Sequence, residues 1–365
     1  MSIELIISLV KANIVLAVLL TNTILLIWFE RKVVAGMQSR VGPDRAGPFG
    51  ILQTLADAIK LLLKEQILPS KADRAMYLLA PLIALVPSFL IFMIIPLGPD
   101  ITVEWQNALY TIPLVGADLN VGVLYFLALS SIAVYSVVLA GWSSGSKYPL
   151  LGGVRASAQM ISYEAAMGLA LVPVILYSGS LSLVDIVNSQ SGNLSSSIPI
   201  LNTIVSFIPK WNIFPQFVAF GIFFIAAVAE VNRAPFDLVE AEQELVGGFH
   251  TEYSGFRFAM FFLAEYINMF NMCAITATFF LGGWLGPTFE GILPPIFSVI
   301  MPIIWLGIKT FLLLFVFVWI RATLPRLRYD QLMELGWKRM IPLSLVWLIL
   351  SAIVLGLREF GLPWS

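Results

Sequence analysis

A dense group of acidic residues lies between residues 230 and 253, in the segment EVNRAPFDLVEAEQELVGGFHTEY. Carboxylates this close repel one another unless some share protons or meet basic partners. Burial raises the pKa of a carboxylate, which suits proton exchange near neutral pH. The segment is therefore a candidate for proton chemistry or for binding basic groups. Its acidic residues are Glu230, Asp237, Glu240, Glu242, Glu244 and Glu252.

Helix capping accounts for some of these acids. Asp237 followed by Glu240 has the spacing of an N-cap residue and an acidic third residue, so we expect a short helix to begin there. Acids in the first turn also complement the helix dipole. The same explanation does not cover Glu242 and Glu244, because two glycines end the segment two turns later.

Four ionisable residues lie within or at the ends of long apolar runs: Glu164, Glu230, Glu265 and Lys309. A charge at the centre of a bilayer costs about 2.5–3.5 kcal/mol on insertion scales, so such residues usually face a protein interior and mark ion or proton paths. For Glu265 and Lys309 we favour a proton path over snorkelling to the surface. Glu164 and Glu230 lie nearer the ends of their runs, and both interpretations stay open for them.

The overall composition excludes most soluble functions. The chain has 365 residues, of which 59% are hydrophobic and 12% charged, whereas a soluble domain carries about 25% charged residues. A net charge of −1 argues against nucleic acid as a partner. One Cys and one His argue against a disulfide framework and against a metal or iron–sulfur site held by this chain alone. We find neither a P-loop nor a GxGxxG motif after a strand, so we expect no bound cofactor.

The excess of apolar residues forms eight stretches that reach or approach the roughly 20 residues of a spanning helix. We therefore predict an all-α polytopic membrane protein with eight transmembrane helices, in a single membrane domain of residues 1–365. The stretches are 4–29, 76–97, 120–140, 158–178, 213–231, 257–284, 297–320 and 340–357.

Lys and Arg residues concentrate in the connections after the first, third, fifth and seventh stretches. Such residues mark the cytoplasmic side of a membrane protein. We therefore predict that these loops face inwards and that both termini lie on the outer, periplasmic side. Three inner loops stand out: 30–75, the acidic loop 230–257 and the basic loop 321–339.

The first inner loop contains the helical pattern GILQTLADAIKLLLKEQ. Gln53, Asp57 and Lys60 recur at helical spacing, and leucine and isoleucine fill much of the opposite surface. We predict an amphipathic helix over residues 51–66. It lies in the headgroup layer, or its polar stripe lines a protein cavity, and the two interpretations are compatible.

Six long blocks of the sequence carry a family resemblance: WFERKVVAGMQSRVGPDRAGPFG, LADAIKLLLKE, AGWSSGSKYPLLGGVRASAQMISYE, AEVNRAPFDLVEAEQELVGGFHTEYSG, FLAEYIN and WIRATLPRLRYDQLMELGWK. With them the chain resembles the quinone-site membrane subunit of respiratory complex I, the proton-pumping NADH:quinone oxidoreductase. The resemblance runs from Trp28 to about Leu350. It departs from the family pattern at Val231, Val239 and Asp44, and none of these changes removes a carboxylate of the acidic loop.

The resemblance implies a subunit that anchors a peripheral arm and, with two hydrophilic quinone-reductase subunits, forms a quinone chamber. Quinone is then a substrate, and iron–sulfur clusters and FMN belong to partner subunits. Small membrane subunits, antiporter-like proton-pumping subunits and membrane lipid are the further partners. The implied location is a bacterial plasma (inner) membrane, with the mitochondrial inner membrane or the thylakoid as alternatives.

The resemblance also implies roles for particular residues. The quinone chamber would be lined by Arg31, Arg45, Asp57, Phe236, Asp237 and Glu242, with Glu240 and Glu244 in the same acidic cluster. The family's chain of proton-coupling acids maps to Glu230, Glu164 and Glu265. Lys309 joins the proton-coupling group only through its position in an apolar run.

Two other classes share some of these features. An energy-converting hydrogenase or ferredoxin-dependent oxidoreductase has an equivalent membrane subunit, although the complete NRAPFDL and EAEQELVGG blocks favour the quinone-linked enzyme. A stand-alone ion transporter also carries intramembrane Glu and Lys. We see no internal repeat of the transporter type, and the long loops on one side suit docking of soluble subunits.

Overall fold

The computed structural model describes residues 3–105, 108–193, 209–238, 245–287 and 296–360. These residues are helical apart from one two-stranded hairpin and the connecting turns. The helices are α1 (Ile3–Met37), α2 (Gln53–Leu63), α3 (Arg74–Met93), α4 (Gly122–Ser143), α5 (Lys147–Ser178), α6 (Leu183–Ser189), α7 (Phe217–Glu230), α8 (Gly255–Phe280), α9 (Ile296–Thr323), α10 (Tyr329–Glu334) and α11 (Ile341–Phe360). The strands are β1 (Ile101–Trp105) and β2 (Ala108–Ile112).

Seven helical segments in the described part of the chain are long and apolar enough to cross a membrane. They lie at seven of the eight predicted stretches, which confirms a polytopic membrane protein. The fifth stretch corresponds to α7, which has only 14 residues. A helix of that length rises about 21 Å, less than the roughly 30 Å hydrocarbon core of a bilayer.

A short hairpin that was not predicted from the sequence connects α3 and α4. There β1 and β2 pair antiparallel, with Ile101 opposite Ile112 and Trp105 opposite Ala108. The segments ITVEW and ALYTI are rich in β-branched and aromatic residues, which favour strands. They are also too short and too close together to form another membrane span.

The N-terminal end of α5 lies 11 residues before the predicted stretch, at Lys147. Glycines let this end pack closely against its neighbours. A Cβ on Gly141 of α4 would lie 2.6 Å from the carbonyl oxygen of Pro149, and a Cβ on Gly152 would lie 2.7 Å from the Cα of Gly248. The short turn Gly248–His250 therefore rests directly on α5.

The core of the molecule lies where α5, α7 and α8 meet. Phe223 of α7 packs edge-on against Phe279 of α8, with ring centroids 6.1 Å apart. Gln159 of α5 donates hydrogen bonds of 2.9 Å each to the carbonyl oxygens of Ala229 and Phe236. These two bonds hold the end of α7 and the loop that follows it against α5, and so fix the position of Glu230.

The amphipathic helix is observed as α2, shorter at both ends than the predicted 51–66. A tight turn precedes it, in which the left-handed Gly50 (φ 78°) has no room for a Cβ beside Pro43. The indole of Trp28 donates a 2.9 Å hydrogen bond to the carbonyl oxygen of Phe49 and ties this turn to α1. Apolar residues of α2 are exposed, as expected for a helix that faces lipid or a partner.

Candidate functional site

Two acidic residues meet adjacent serines of α4. Ser130 donates a 2.9 Å hydrogen bond to Oε1 of Glu230, and Ser131 donates to Oε1 of Glu164. Glu230 is buried at the end of α7, and its second oxygen has no hydrogen-bond partner among the described residues. Glu164, on α5, is half-buried. One turn of α4 thus brings together two of the acids that the sequence analysis proposed for proton coupling.

Arg233, in the loop after α7, binds two further acids. Its Nε lies 2.7 Å from Oε1 of Glu265, and its Nη1 lies 3.3 Å from Oε1 of Glu30. The guanidinium also lies over the ring of Tyr266, 4.4 Å from the ring centroid. Burial by itself lowers the pKa of Arg233, but the charges of Glu265 and Glu30 raise it well above the usual range. Arg233 therefore stays positively charged while it bridges two carboxylates.

Glu30, like Arg233, takes part in two ion pairs. It is 3% exposed and also forms an ion pair with Arg321 of α9. The four residues thus form a continuous chain of ion pairs, in the order Glu265, Arg233, Glu30, Arg321. An isolated buried charge costs several kcal/mol, so each member of this ion-pair chain depends on its partners.

One end of the ion-pair chain lies at a cavity with acidic walls, which we term the acid cavity. It contains about 660 Å³ of space free of protein atoms. Glu230, Asp237 and Glu265 line it, together with the only histidine of the chain, His250. Asp237 is itself 9% exposed. The acid cavity therefore joins three of the carboxylates that the sequence analysis selected.

The other end of the ion-pair chain lies at a larger cavity with a basic rim, which we term the basic cavity. Its volume is about 1200 Å³. Arg31, Arg40 and Arg321 line it, together with Glu30 and Tyr266. Arg233 thus lies between the two cavities, because it contacts Glu265 of the acid cavity and Glu30 of the basic cavity.

The amphipathic helix α2 is fastened to the basic cavity through Asp57. Its Oδ2 lies 2.6 Å from Nη1 of Arg31, and Gln53 donates a 3.0 Å hydrogen bond to its Oδ1. Partial burial raises the pKa of Asp57, but the hydrogen bonds from Arg31 and Gln53 and the nearby charge of Lys60 outweigh it. The pKa therefore lies below its usual value, and Asp57 is ionised at neutral pH.

The remaining predicted site residues lie elsewhere. Arg45 is exposed in the turn before α2. Phe236 is buried against the ring of Tyr163, at a centroid distance of 5.4 Å. Neither lines the acid cavity or the basic cavity. Glu240, Glu242 and Glu244 fall in 239–244, outside the described residues, and so does most of the short helix predicted to begin at Asp237.

Lys309 belongs to α9 and is buried beside the C-terminal end of α8, away from the acidic residues. Its Nζ donates hydrogen bonds to the carbonyl oxygens of Leu281 at 2.6 Å, Gly283 at 2.9 Å and Leu285 at 2.5 Å. It also lies 4.4 Å from the ring centroid of Trp211. A lysine suits this place because helix C-termini leave carbonyl oxygens without donors. The contacts explain Lys309 as a helix cap.

The sequence analysis missed the role of Glu30. It ended the first apolar stretch at residue 29, so Glu30 counted as the first residue of a loop. The structure continues α1 to Met37, which places Glu30 inside the helix and next to Arg233 and Arg321. The available signal was an acid beside Arg31 in a segment with no helix-breaking residue before Gly36.

The chain matches known proteins over almost its whole length. The family model described as NADH dehydrogenase matches residues 10–352. An NADH-quinone oxidoreductase subunit of Koribacter versatilis is 47% identical over 362 residues, which cover 97% of this chain and 98% of that protein. Its counterpart in Syntrophobacter fumaroxidans is 52% identical over 336 residues, 92% of each chain. The counterpart in Ralstonia nicotianae is 50% identical over 346 residues, 95% of this chain and 91% of that protein. All three relatives are named as the same subunit of that enzyme.

Proposed function

Since the chain belongs to the NADH dehydrogenase family, we propose that it is the membrane subunit of a proton-translocating NADH:quinone oxidoreductase. In this proposal it forms part of the quinone chamber and couples quinone reduction to proton pumping. The ion-pair chain carries the proposal. It joins the basic cavity, where arginines can bind an anionic intermediate, to the acid cavity, where carboxylates can bind protons.

The basic cavity suits one wall of a quinone chamber. Arg31, Arg40 and Arg321 supply positive charge, which stabilises the negative charge that a quinone gains on reduction. Tyr266 adds an aromatic surface beside them. Hydrophilic partner subunits would cover the open side and hold the iron–sulfur clusters and FMN. Asp57 keeps α2 against Arg31 at the edge of this chamber.

The ion-pair chain offers a route from quinone chemistry to proton chemistry. New negative charge in the basic cavity competes with Glu30 for Arg321. Glu30 then binds Arg233 more strongly, and Arg233 loosens its contact with Glu265. A carboxylate that loses its positive partner binds protons more readily. Glu265 therefore takes up a proton in the acid cavity, where Glu230 also lies, and the adjacent serines Ser130 and Ser131 hold Glu230 and Glu164 beside the same turn of α4.

The arrangement in the membrane completes the proposal. We take α7 as the eighth span, with both termini on the outer side of a bacterial plasma membrane, because the basic loops 30–75 and 321–339 would face inwards. The helices α1 and α11 belong to the two least buried spans. They offer surfaces for lipid, for small membrane subunits and for antiporter-like pumping subunits.

The test uses the assembled complex in sealed liposomes. Glu230→Gln and Glu164→Gln remove the proposed proton-binding groups and keep their size. We expect both variants to lose most proton pumping. The matched control is Glu334→Gln, because Glu334 is exposed and, in the described part of the chain, its ion pair is with Lys338 at 3.5 Å. Wild-type quinone reduction and pumping in both Glu230→Gln and Glu164→Gln would overturn the proposal.

A further inference from the structure

His250 is held firmly at the wall of the acid cavity. The turn that carries it rests on Gly152 of α5, and the hydroxyl of Thr251 donates a 2.7 Å hydrogen bond to the carbonyl oxygen of Gly248. The imidazole meets the rings of Phe249 and Phe258 edge-to-face, at centroid distances of 5.0 Å and 5.2 Å. These contacts hold the polar imidazole ring among aromatic neighbours at the wall of the acid cavity.

The acid cavity is lined by residues of α3, α4, α5, α7 and α8 and of the loop between α7 and α8. The titratable groups lining it beside His250 are Glu230 on α7, Asp237 on the following loop and Glu265 on α8. The helices α3, α4 and α5 contribute only neutral side chains to the lining, such as Ser136. Glu265 is already paired with the positive Arg233.

Two charged residues close to His250 in sequence, Glu252 and Arg257, make contacts outside the acid cavity. Arg257 lies over the ring of Tyr77, at 5.6 Å from its centroid. The hydroxyl of Tyr77 also donates a 2.8 Å hydrogen bond to the carbonyl oxygen of Glu252. Neither Arg257 nor Glu252 lines the acid cavity. Among the described residues, the charges that share the acid cavity with His250 are therefore those of three carboxylates, one of which is paired with Arg233.

We propose that His250 is a proton-transfer residue of the acid cavity, which passes protons to and from Glu230 and Asp237. This inference rests on the proposed function. The proton arrives at one ring nitrogen, and the proton on the other nitrogen leaves to a carboxylate, so the ring becomes neutral again in its other tautomer. No redox change or further reactant is needed. The return to the first tautomer occurs when a second proton passes in the opposite direction or when the ring reorients.

The chemistry of the imidazole suits this role better than that of its neighbours. It accepts a proton at one nitrogen and donates one from the other, and free imidazole side chains titrate at about pH 6.5. The Ser130 hydroxyl bound to Glu230 does not ionise in this range. Aromatic packing at this wall is already supplied by Phe249, Phe261 and Phe262.

Chemical rescue in the assembled complex tests the inference. His250→Ala removes the ring and leaves a space of its shape beside the cavity. We expect NADH:quinone turnover to fall about a hundredfold, the usual contribution of a general acid–base group. Added imidazole should restore a large part of the turnover, and its effect should follow the concentration of the neutral base. A turnover loss that imidazole does not restore would overturn the inference and indicate a packing role.

Two further variants separate the possible outcomes. Phe262→Ala opens the wall of the same cavity beside His250 but removes no proton carrier, so imidazole should not stimulate it; equal stimulation would overturn the inference. His250→Asn retains polarity without titrating near neutral pH, and should flatten the turnover profile between pH 6 and 8. An unchanged profile in His250→Asn would contradict a proton-transfer role. If Glu230→Gln abolishes pumping while His250→Asn behaves as wild type, the proposed function survives and only this inference fails.

Discussion

Arg233 and Glu30 are 203 residues apart in sequence and form a buried ion pair, with Nη1 of Arg233 3.3 Å from Oε1 of Glu30. Arg233 belongs to the acidic loop and Glu30 to α1. The pair connects the two cavities, because Glu265 completes it on one side and Arg321 on the other.

Replacement of Arg233 by Met should destabilise the protein strongly. The change removes the guanidinium from both Glu265 and Glu30, and breaking a buried ion pair costs about 3–5 kcal/mol. We expect little assembled complex on native gels and a lower melting temperature of what remains. The control is Arg358→Met, since the side-chain contact that Arg358 makes among the described residues is an exposed one of 3.3 Å with the hydroxyl of Tyr177. Arg233→Met complex with the yield and melting temperature of that control would contradict the account.

The Arg31–Asp57 contact should hold α2 in place only while Asp57 is ionised. The pKa of Asp57 is lowered in the folded protein, so its contribution to stability is present above the unfolded value of about 3.9 and is lost as the pH falls through the folded value. Asp57→Asn should therefore speed amide hydrogen exchange in residues 53–63 at pH 7, by an amount that reflects at most about 1 kcal/mol because the pair is partly exposed.

As the pH falls below about 3.9 towards the lower folded pKa of Asp57, the difference between Asp57→Asn and the wild type should shrink, since the wild-type carboxyl increasingly binds a proton. The measurement is the exchange of the same peptide at pH 7 and pH 3, after correction for the intrinsic rate. An equal difference at both pH values would show that Asp57 acts through something other than its charge.

Gly152 of α5 should tolerate no side chain. A Cβ there would lie 2.7 Å from the Cα and 2.8 Å from the carbonyl carbon of Gly248, and these backbone atoms cannot rotate away. We expect Gly152→Ala to cost about 1–3 kcal/mol through overpacking. Gly356 of α11 is the matched control, because its Cβ would meet nothing within 4 Å. Gly356→Ala should be neutral or stabilising. Equal melting temperatures for the two variants would contradict the close packing of Gly152 on Gly248.

Lys309→Met should separate a capping role from a role in proton coupling. The variant removes the donor shared by the carbonyl oxygens of Leu281, Gly283 and Leu285, and each unsatisfied buried group costs about 1–3 kcal/mol. We expect a lower melting temperature, while the complex that does assemble pumps protons normally. Normal stability with loss of pumping would instead favour the proton path expected from the sequence.

The sequence predicted the positions of the helices well, because hydropathy reports directly on which segments can be surrounded by lipid. It did less well at helix ends. The predicted stretch near α1 stopped at residue 29 and that near α5 began at 158, because charged and glycine-rich segments were taken as loops. In both places tertiary contacts keep the polar segment helical. Glu30 of α1 forms ion pairs with Arg233 and Arg321. Gly152 of α5 allows the backbone of Gly248 to approach closely.

The candidate site was predicted as a list of acids but not as a connected arrangement. Glu164, Glu230 and Glu265 were recognised because each interrupts or ends an apolar run. Their partners were not, because Ser130, Ser131 and Arg233 look ordinary in the sequence, and pairing over a long separation leaves no local pattern. His250 was considered only as evidence against a metal site, and only the shape of the acid cavity shows its surroundings.

The most direct test of the central claim is the number of protons pumped per quinone reduced by complex carrying Glu265→Gln in sealed liposomes. Glu265 is where the ion-pair chain enters the acid cavity, and Gln keeps its size while removing its charge and its proton. The account predicts that quinone reduction continues and that the proton ratio falls well below that of the Glu334→Gln control. A proton ratio equal to that of the control would contradict a coupling route through Arg233 and Glu30.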